Sequence, residues 1–248
     1  MTPHILITGG SRGIGAATAR LAAQQGYAVS LNYRNDRAAA EAVLEEITRD
    51  GGKAVALQAD ISREDEVSRL FADAHQSFGP ITGLVNNAGM LATRMRVDQM
   101  NAARLQHVFS TNIIGAFLCA AAAVRHMSTL HGGSGGAIVN LSSIAASLGS
   151  PGEFVDYAAS KGAIDTLTIG LAKEVAAEGI RVNAVRPGVI YTEIHASAGE
   201  PQRVDRMKSG VPMQRGGEAI EVARAILWLL SDEASYITGT LLDVSGGR

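Results

Sequence analysis

Short strand-like runs alternate along the chain with longer segments of helical composition. The first run, at 4–8, ends in glycines, and the segment 14–25 that follows it is rich in alanine, leucine and arginine. Similar runs occur at 27–33, 53–60, 82–86, 137–141, 180–185 and 240–248. Alternation of this kind is typical of parallel strands joined by helices and buried on both faces. It predicts an α/β fold: a single domain, 1–248, with a doubly wound, seven-stranded parallel sheet and helices on both faces.

Two segments depart from this simple alternation. Residues 101–130 have the composition of one long helix, and Asn112 and Gly115 interrupt its apolar pattern, which indicates a local bend or close packing. Residues 189–213 mix apolar positions with charges of both signs, among them Glu200 and Arg203. We interpret 189–213 as a solvated, amphipathic substrate lid, which shares the roof of a pocket with residues 90–97.

Composition narrows the classes of partner. The chain has 248 residues, of which 46% are hydrophobic, and a formal net charge of −2, so no charge excess favours a nucleic acid or a membrane surface. No uninterrupted apolar run reaches about 18 residues. The single cysteine, Cys119, lies in an apolar run, which is typical of a buried thiol. The six histidines show no metal-ligand spacing. We expect a cytoplasmic protein without a metal, a nucleic-acid partner or a membrane.

The segment TGGSRGIG, at 8–15, joins the first predicted strand to the first helix. Glycine permits a tight turn, leaves room for a phosphate and lets the helix pack close to the strand, while free amides at the helix start attract the anion. The spacing is GxxxGxG and not the general GxGxxG, so a plain glycine-rich turn is the alternative. The predicted cofactor contacts in this loop are Gly9, Ser11, Arg12, Gly13, Ile14 and Gly15.

The end of the second strand bears on the choice of cofactor. An acidic residue there, about 20 residues after the glycines, would bind the ribose 2′-hydroxyl of NAD. The chain has Asn32 and Arg34 instead, and Asp36 comes later, where we interpret it as a helix cap. Arg34 and Arg12 would supply two guanidinium groups, which suit a 2′-phosphate. The sequence therefore favours NADP (NADPH), with a solvent-facing Arg34 as the alternative.

Two further strand ends supply candidate cofactor contacts. Asp60, followed by Ile61, ends the third strand, where its carboxylate could accept a hydrogen bond from the adenine amino group; an aspartate that merely starts a turn is the alternative. The segment NNAG, at 86–89, follows the fourth strand. Its amide side chains can brace neighbouring strands, and its small residues leave room for a cofactor. The candidate contacts there are Asn87, Ala88 and Gly89.

The stretch from Ser143 to Lys161 carries the candidate chemistry. Tyr157 and Lys161 are four residues apart, so on a helix they share a face. A neighbouring ammonium favours the phenolate, and we expect Lys161 to lower the pKa of Tyr157 and make it a better acid and base. Ser143 lies at a strand end, where its hydroxyl could bind the oxygen of a carbonyl; Ser142 is the alternative. An ordinary helix-surface pair is the other interpretation of Tyr157 and Lys161.

Four segments together resemble the short-chain dehydrogenase/reductases: TGGSRGIG, NNAG, Ser143 with Tyr157-x-x-x-Lys161, and PGVIYT at 187–192. They occur in that family's order, and the resemblance covers essentially the whole chain. It is closest in look to bacterial 3-oxoacyl-carrier-protein reductases and glucose 1-dehydrogenases. The resemblance implies an NAD(P)-binding Rossmann domain with strand order 3-2-1-4-5-6-7. One difference is that the Ser143–Tyr157 gap is one residue longer than in many relatives.

The resemblance also implies roles for individual residues. Ser143 and Tyr157 would hold the substrate oxygen, Lys161 would bind the nicotinamide ribose, and Asn112 would anchor a water through the disturbed backbone of its helix. These four form the implied catalytic set. The cofactor contacts that the resemblance adds are Tyr157, Lys161, Pro187, Gly188, Ile190 and Thr192. A homotetramer is implied as well, in which the 101–130 and 157–178 helices pair across one two-fold axis.

Three functions remain open on the sequence. The favoured one is an NADP(H)-dependent oxidoreductase that transfers hydride between nicotinamide and a small carbonyl, alcohol or sugar. The second is a 3-oxoacyl-carrier-protein reductase. An acidic carrier protein requires a basic docking patch, and we expect the sequence HGGSGG at 131–136 to thin such a patch. The third is a non-catalytic NADP-binding sensor or scaffold, which would need the glycine loop but not the four catalytic residues.

Overall fold

The protein, described from a computed structural model that covers residues 2–248, contains a seven-stranded parallel sheet. Its strands are β1 (His4–Ile7), β2 (Ala28–Tyr33), β3 (Lys53–Gln58), β4 (Gly83–Asn86), β5 (Gly136–Leu141), β6 (Ile180–Pro187) and, at the edge, β9 (Leu241–Val244). The strand order β3-β2-β1-β4-β5-β6-β9 is the predicted 3-2-1-4-5-6-7, with β9 as the seventh strand. A separate pair, β7 (Ile190–Tyr191) and β8 (Gly217–Glu218), was not predicted.

Helices cover both faces of the sheet, as predicted. On one face pack α1 (Gly13–Gln24), α2 (Arg37–Arg49) and α10 (Ala219–Leu230); on the other pack α3 (Glu64–Phe78), α5 (Ala116–Met127) and α7 (Val155–Val175). In β1, Ile5 and Ile7 join the first core and Leu6 joins the second. Since successive side chains of a strand point to opposite faces, a strand covered on both sides must be apolar throughout.

The predicted long helix is interrupted where the sequence indicated. It consists of α4 (Ala102–Phe109), a wider π-helical turn at Ser110–Gly115, and α5. Gly115 is required there because a Cβ would lie 2.7 Å from the side chain of Ile61. By length and composition Ala102–Met127 could cross a membrane. Its buried residues, such as Cys119 and Met127, pack in the second core against α3 and the sheet, as expected of a core helix.

The lid forms two short helices, α8 (Ile194–Ser197) and α9 (Arg203–Met207). A further short helix, α6 (Ala145–Leu148), lies in the loop between β5 and α7. All strands of the main sheet are parallel, so their carboxyl ends meet at one edge. At this edge the loop after β1 leads towards β2 on one side, and the loop after β4 leads away on the other side. A doubly wound sheet opens a crevice for a ligand at such a point.

Candidate active site

A cavity of about 970 Å³ lies along the carboxyl edge of the sheet. It is lined by nearly every residue for which the sequence predicted a cofactor contact, from Gly9 in the glycine loop to Thr192 after β6. Ser143, Tyr157 and Lys161 line it as well. The two predicted site residues outside the lining are Gly15 and Asn112. Segments that are far apart in sequence therefore converge on one site.

The glycines of the 8–15 loop meet different requirements. Gly9 and Gly13 have positive φ angles of 62° and 51°, which favour glycine. A Cβ on Gly15 would collide with the carbonyl oxygen of Gly9, so Gly15 allows the start of α1 to pack against the loop. Gly9 and Gly13 line the cavity at the start of α1 and contribute no side chain there, which makes the loop a cradle that fits the phosphates of a nucleotide cofactor.

The cradle is held by polar side chains whose role the sequence did not reveal. The buried hydroxyl of Thr8 accepts hydrogen bonds from the backbone N–H groups of Asn87 and Ala88, each at 3.0 Å. Asn87 in turn donates to the carbonyl oxygens of Thr8 and Gly9. These contacts join the loops after β1 and β4, and they confirm that the amides of NNAG brace neighbouring strands. No local pattern marks Thr8, because its partners are about 80 residues away.

Asn32 lines the cavity but its amide is committed to the backbone. It donates to the carbonyl oxygens of Tyr33, Leu57 and Ala59, and its Oδ1 accepts from the N–H of Gly9 at 3.3 Å. The residue therefore braces the ends of β2 and β3 against the glycine loop. Asn32 thus lies at the predicted cofactor site, while its amide supports the loop.

Arg12 and Arg34 both line the cavity end beside β2, and about half of each side chain is exposed. Arg12 lies 3.9 Å from Asp36, and Arg34 lies 4.0 Å from Asp60, so both ion pairs are long. Asp36 accepts from the N–H of Ala39 and caps α2, as predicted. Asp60 accepts from the N–H and hydroxyl of Ser62, which is the turn-forming alternative. The two guanidinium groups thus remain loosely held.

Lys161 is buried at the end of β5. Its Nζ donates to the carbonyl oxygen of Leu141 at 2.5 Å and lies 5.7 Å from the centre of the Tyr157 ring. Burial lowers the pKa of Lys161 to about 8, and the carboxylate of Asp165, one turn further along α7, partly opposes that shift. The Lys161 amine is therefore protonated at neutral pH, and it loses its positive charge as the pH rises through about 8.

We predicted that Lys161 lowers the pKa of Tyr157, but in this structure that pKa is raised. Burial raises the pKa of Tyr157 to about 12, and a hydrogen bond with Ser143 opposes this shift only in part. Desolvation outweighs any favourable charge because the phenolate would lose its hydration. The phenol is consequently neutral at neutral pH, which is the form that can give a proton to a developing alkoxide.

The hydroxyl groups of Ser142 and Ser143 have different surroundings. Ser142 Oγ is buried and donates to the carbonyl oxygen of Lys161 at 3.1 Å, which ties α7 to the end of β5. Ser143 Oγ faces Tyr157 and accepts from the N–H of Ala145. Of the two alternatives, Ser143 is therefore the one beside the phenol.

Asn112 lies behind the cavity, in the π-helical turn. It accepts from the N–H of Met90 at 2.8 Å and donates to the carbonyl oxygen of Met90 and to Ser160 Oγ. A Cβ built on Gly89 would come within 3.5 Å of Lys161 Nζ and 3.6 Å of Asn112 Oδ1. Asn112 therefore joins the roof to α7 beside Lys161, in the disturbed helix that the sequence indicated.

The lid charges are solvated only in part, which corrects the prediction: Asp205, Arg206 and Lys208 are about half exposed, whereas Arg203 and Glu200 are largely buried. Arg203 is only 9% exposed; it pairs with Glu153 at 2.7 Å and with Glu200 at 2.8 Å. Its guanidinium also stacks on the ring of Phe154, 4.7 Å from the ring centre. Arg206 pairs with the same two glutamates. The charges form a cluster that ties the lid to the longer loop before Tyr157, so they leave no free anion site.

The substrate end of the cavity has an apolar wall beside its polar lining residues. Leu91 lies at the roof, Phe154 belongs to the loop before α7, and Ile194 belongs to the lid; these three pack in one small cluster with Tyr157. Sequence reasoning missed the loop residues of this wall, because nothing local shows which side of a loop faces a cavity. The other apolar residues here are Ile144, Leu148, Pro151, Val189 and Met207.

The predicted significance of residues 131–136 is also corrected. They lead into β5, which begins at Gly136, and so lie at the amino edge of the sheet, opposite to the cavity that this chain forms. None of them lines that cavity. Their composition therefore does not describe the mouth of the chain's own site.

Among residues 2–248 no cluster of histidine, cysteine and carboxylate side chains could hold a metal ion.

A parallel sheet with a glycine cradle, a buried lysine and a neighbouring phenol defines a nucleotide-dependent oxidoreductase of the Rossmann class. The family model described as enoyl-(acyl carrier protein) reductase matches residues 9–248. A solved short-chain dehydrogenase/reductase of Serratia marcescens, a double mutant of that protein, superposes with a TM-score of 0.90 at 34% identity and covers 99% of this chain and 97% of its own. The chain belongs to the short-chain dehydrogenase/reductase family, whose members use nicotinamide cofactors.

Relatives in the family differ in their named activities. An uncharacterized oxidoreductase of Escherichia coli, YgfF, is 62% identical over 98% of both chains. Glucose 1-dehydrogenase 2 of Bacillus subtilis is 38% identical over 98% of this chain and 93% of its own. The 3-oxoacyl-[acyl-carrier-protein] reductase FabG of Staphylococcus epidermidis is 37% identical over 100% and 99%. The family therefore fixes the reaction class and leaves the substrate open.

The pKa of Lys161 yields a prediction for cofactor binding. If the ammonium holds the nicotinamide ribose, affinity should be constant below about pH 7 and weaken above about pH 8, where the charge is lost, by at most about ten-fold per pH unit. Fluorescence titrations with the reduced cofactor between pH 6.5 and 9.5 measure this. In Lys161→Met the affinity for the reduced cofactor should no longer depend on pH above about pH 8. An equal slope in that variant would show that another group titrates.

Proposed function

We propose that the protein is an NADPH-dependent reductase of small free carbonyl compounds, including simple sugars. The observation that carries this proposal is the convergence of Ser143, Tyr157 and Lys161 on one cavity with two loosely paired arginines at its other end. The nicotinamide would supply hydride to the carbonyl carbon. Asn87, Gly89 and Thr192 would border the cofactor, and Arg12 and Arg34 would bind its 2′-phosphate.

The residues of the chain have distinct tasks in this reaction. Ser143 and Tyr157 hold the carbonyl oxygen between two hydroxyl groups. As negative charge develops on that oxygen, Tyr157 transfers its phenolic proton to it, and the buried ammonium of Lys161 stabilises the phenolate that remains. The apolar wall formed by Leu91 and Phe154 excludes water from the transfer.

The apolar wall also supports the choice of substrate class. A polyol needs several polar partners, whereas two of the charged groups that line this end, Glu153 and Arg203, already pair with each other. Carbonyl compounds with few hydroxyl groups fit such a lining best. Sugars fit this wall less well, and the similarity to a glucose 1-dehydrogenase is what keeps them in the proposed class.

Reduction of an acyl group on carrier protein is the second candidate, favoured by the FabG relative and by the description of the family model. Its acidic partner needs exposed cations near the cavity mouth. Arg94 lies 3.7 Å from Glu200, and Arg96 lies 3.1 Å from Asp98, so the cations of the roof are accompanied by acids. These acids offset the charge of the two roof arginines, which supports the free substrate over the carrier-bound one.

A non-catalytic NADP-binding sensor is the remaining alternative. Such a protein needs the glycine cradle and the two arginines but has no use for a phenol beside a buried ammonium. Burying Lys161 costs free energy, as its lowered pKa shows. That cost supports a catalytic role.

We expect NADPH to be preferred over NADH by at least about ten-fold in kcat/KM. Arg34→Leu should lower kcat/KM for NADPH by about ten-fold, or about 1.4 kcal/mol, since a charge-assisted contact of a half-exposed side chain is lost. The same variant should leave kcat/KM for NADH almost unchanged. Arg37→Leu, an exposed arginine of α2 that does not line the cavity, is the matched control. Equal kcat/KM for both cofactors in the wild type would contradict the preference.

Tyr157→Phe should lower kcat by a factor of about 10² to 10⁴, the usual contribution of a general acid. The dissociation constant of NADPH should stay within about three-fold, because the phenol acts on the substrate. Stopped-flow oxidation of NADPH and fluorescence titration measure the two quantities. If the variant keeps more than about a tenth of kcat, a loss below about 1.4 kcal/mol, another group is the acid.

For the substrate, kcat/KM of the best compound in a panel of ketones, aldehydes and sugars should exceed that of acetoacetyl-carrier protein. Both should be measured at low and at moderate salt, since an electrostatic docking surface weakens as salt is added. A clear advantage of the carrier-bound substrate that fades with salt would overturn the choice of a free carbonyl compound. The comparison separates the two candidate substrates without any variant.

We propose a homotetramer because large apolar side chains are exposed on two helices. Ile114 and Phe117 are half exposed on the 102–127 helix, and Ile169 is exposed on α7. Ala120 and Ala123 of the 102–127 helix are buried in the chain's own core and so do not contribute to this surface. Light scattering at micromolar concentration should give four times the chain mass of 25.8 kDa. Phe117→Glu should yield a smaller species, and a monomeric wild type would contradict the proposal.

A further inference from the structure

The first turn of α7 lacks the usual cap. Its N-cap residue, Phe154, has no side-chain acceptor, although the first amides of a helix have no partner within the helix. Tyr157 is the third residue of this helix, so the phenol depends on a turn that frays easily. Asp156 supplies what the N-cap does not: its Oδ1 accepts from the N–H of Tyr157 at 2.9 Å.

Asp156 is held by an ion pair that is almost fully buried. Its Oδ2 accepts from Arg104 Nε at 2.8 Å, and the side chains of Asp156 and Arg104 are 1% and 11% exposed. Arg104 lies on α4, which leads directly into the π-helical turn with Asn112. The same guanidinium donates through Nη1 to the carbonyl oxygen of Thr93, in the roof of the cavity, at 2.8 Å. One arginine thus joins three segments of the site.

Stability alone is a poor reason for this arrangement. The free energy lost when an ion pair is desolvated is about as large as the free energy gained from its attraction. Replacing such a pair by apolar residues therefore often leaves the stability of a protein unchanged. Here the pairing is also incomplete, because Arg104 Nη2 is buried without a hydrogen-bond partner in the part of the chain that the structure describes. What the pair does provide is a fixed geometry at the backbone of Tyr157.

We propose that Arg104 and Asp156 are a positioning pair that fixes the first turn of α7, and with it the phenol of Tyr157, against the roof at Thr93. Neither residue lines the cavity, so neither touches substrate or cofactor. The inference rests on the proposed function for its kinetic part and on the fold alone for its structural part. It predicts that loss of the pair impairs proton transfer and leaves nucleotide binding intact.

The test uses the double variant Arg104→Met/Asp156→Leu, which removes both charges together with the oxygen that accepts from the N–H of Tyr157, and so leaves no unpaired buried charge. We expect kcat to fall at least ten-fold while the dissociation constant of NADPH stays within about three-fold. Hydrogen exchange should accelerate at the amides of 155–158 and remain unchanged in the rest of α7. The control is Leu70→Ala, a fully buried position on α3, which lowers stability without touching the pair.

The outcomes are distinct. A double variant that exchanges like the wild type at 155–158, or whose kcat equals that of Leu70→Ala at the same temperature, would overturn the positioning role. Restoring Asp156 alone, in Arg104→Met, should not restore kcat, because the carboxylate is then unpaired. If the wild type reduces no carbonyl compound, the proposed function fails, and hydrogen exchange at 155–158 still decides the positioning role.

Discussion

The site depends on a buried positive charge at the carboxyl end of β5. Lys161 donates to the carbonyl oxygen of Leu141, Gly89 lies beside the ammonium, and Asn112 holds the adjoining roof by the backbone of Met90. The parallel sheet makes this arrangement possible, because it brings the loops after β1, β4, β5 and β6 to one edge. A cofactor and a phenol can then meet at the same ammonium.

The lowered pKa of Lys161 and the raised pKa of Tyr157 have the same origin. Both groups are removed from water, which disfavours the ammonium of one and the phenolate of the other. A neutral phenol beside a charged ammonium is suited to donating a proton, which matches the direction of carbonyl reduction. The spacing of the two residues predicted that they share a helix face, and the structure places Lys161 Nζ 5.7 Å from the centre of the Tyr157 ring. Sequence reasoning missed the dominant electrostatic effect, because four residues along a helix define a distance and not the degree of burial.

Features that repeat with the period of a strand or helix were predictable, and so were the glycines that mark turns. The strand order followed from these features only through the family resemblance, since alternation alone does not order parallel strands. Long-range polar contacts were not predictable. Thr8 and Asn32 hold the glycine cradle through partners on other strands, and Arg203 is buried between Glu153 and Glu200 although its own segment resembles a solvated lid. Local composition describes a residue's neighbours in the chain, whereas these roles depend on neighbours in space.

The central claim is that this cavity transfers hydride and does not merely bind a nucleotide. Incubation of the wild-type protein with NADPH deuterated at the transferable C4 position and a panel of ketones, aldehydes and sugars tests it directly. Mass spectrometry of the product should find one deuterium on the carbinol carbon of an alcohol. Tight binding of NADPH with no labelled alcohol from any member of the panel would contradict the account and favour a nucleotide-binding sensor.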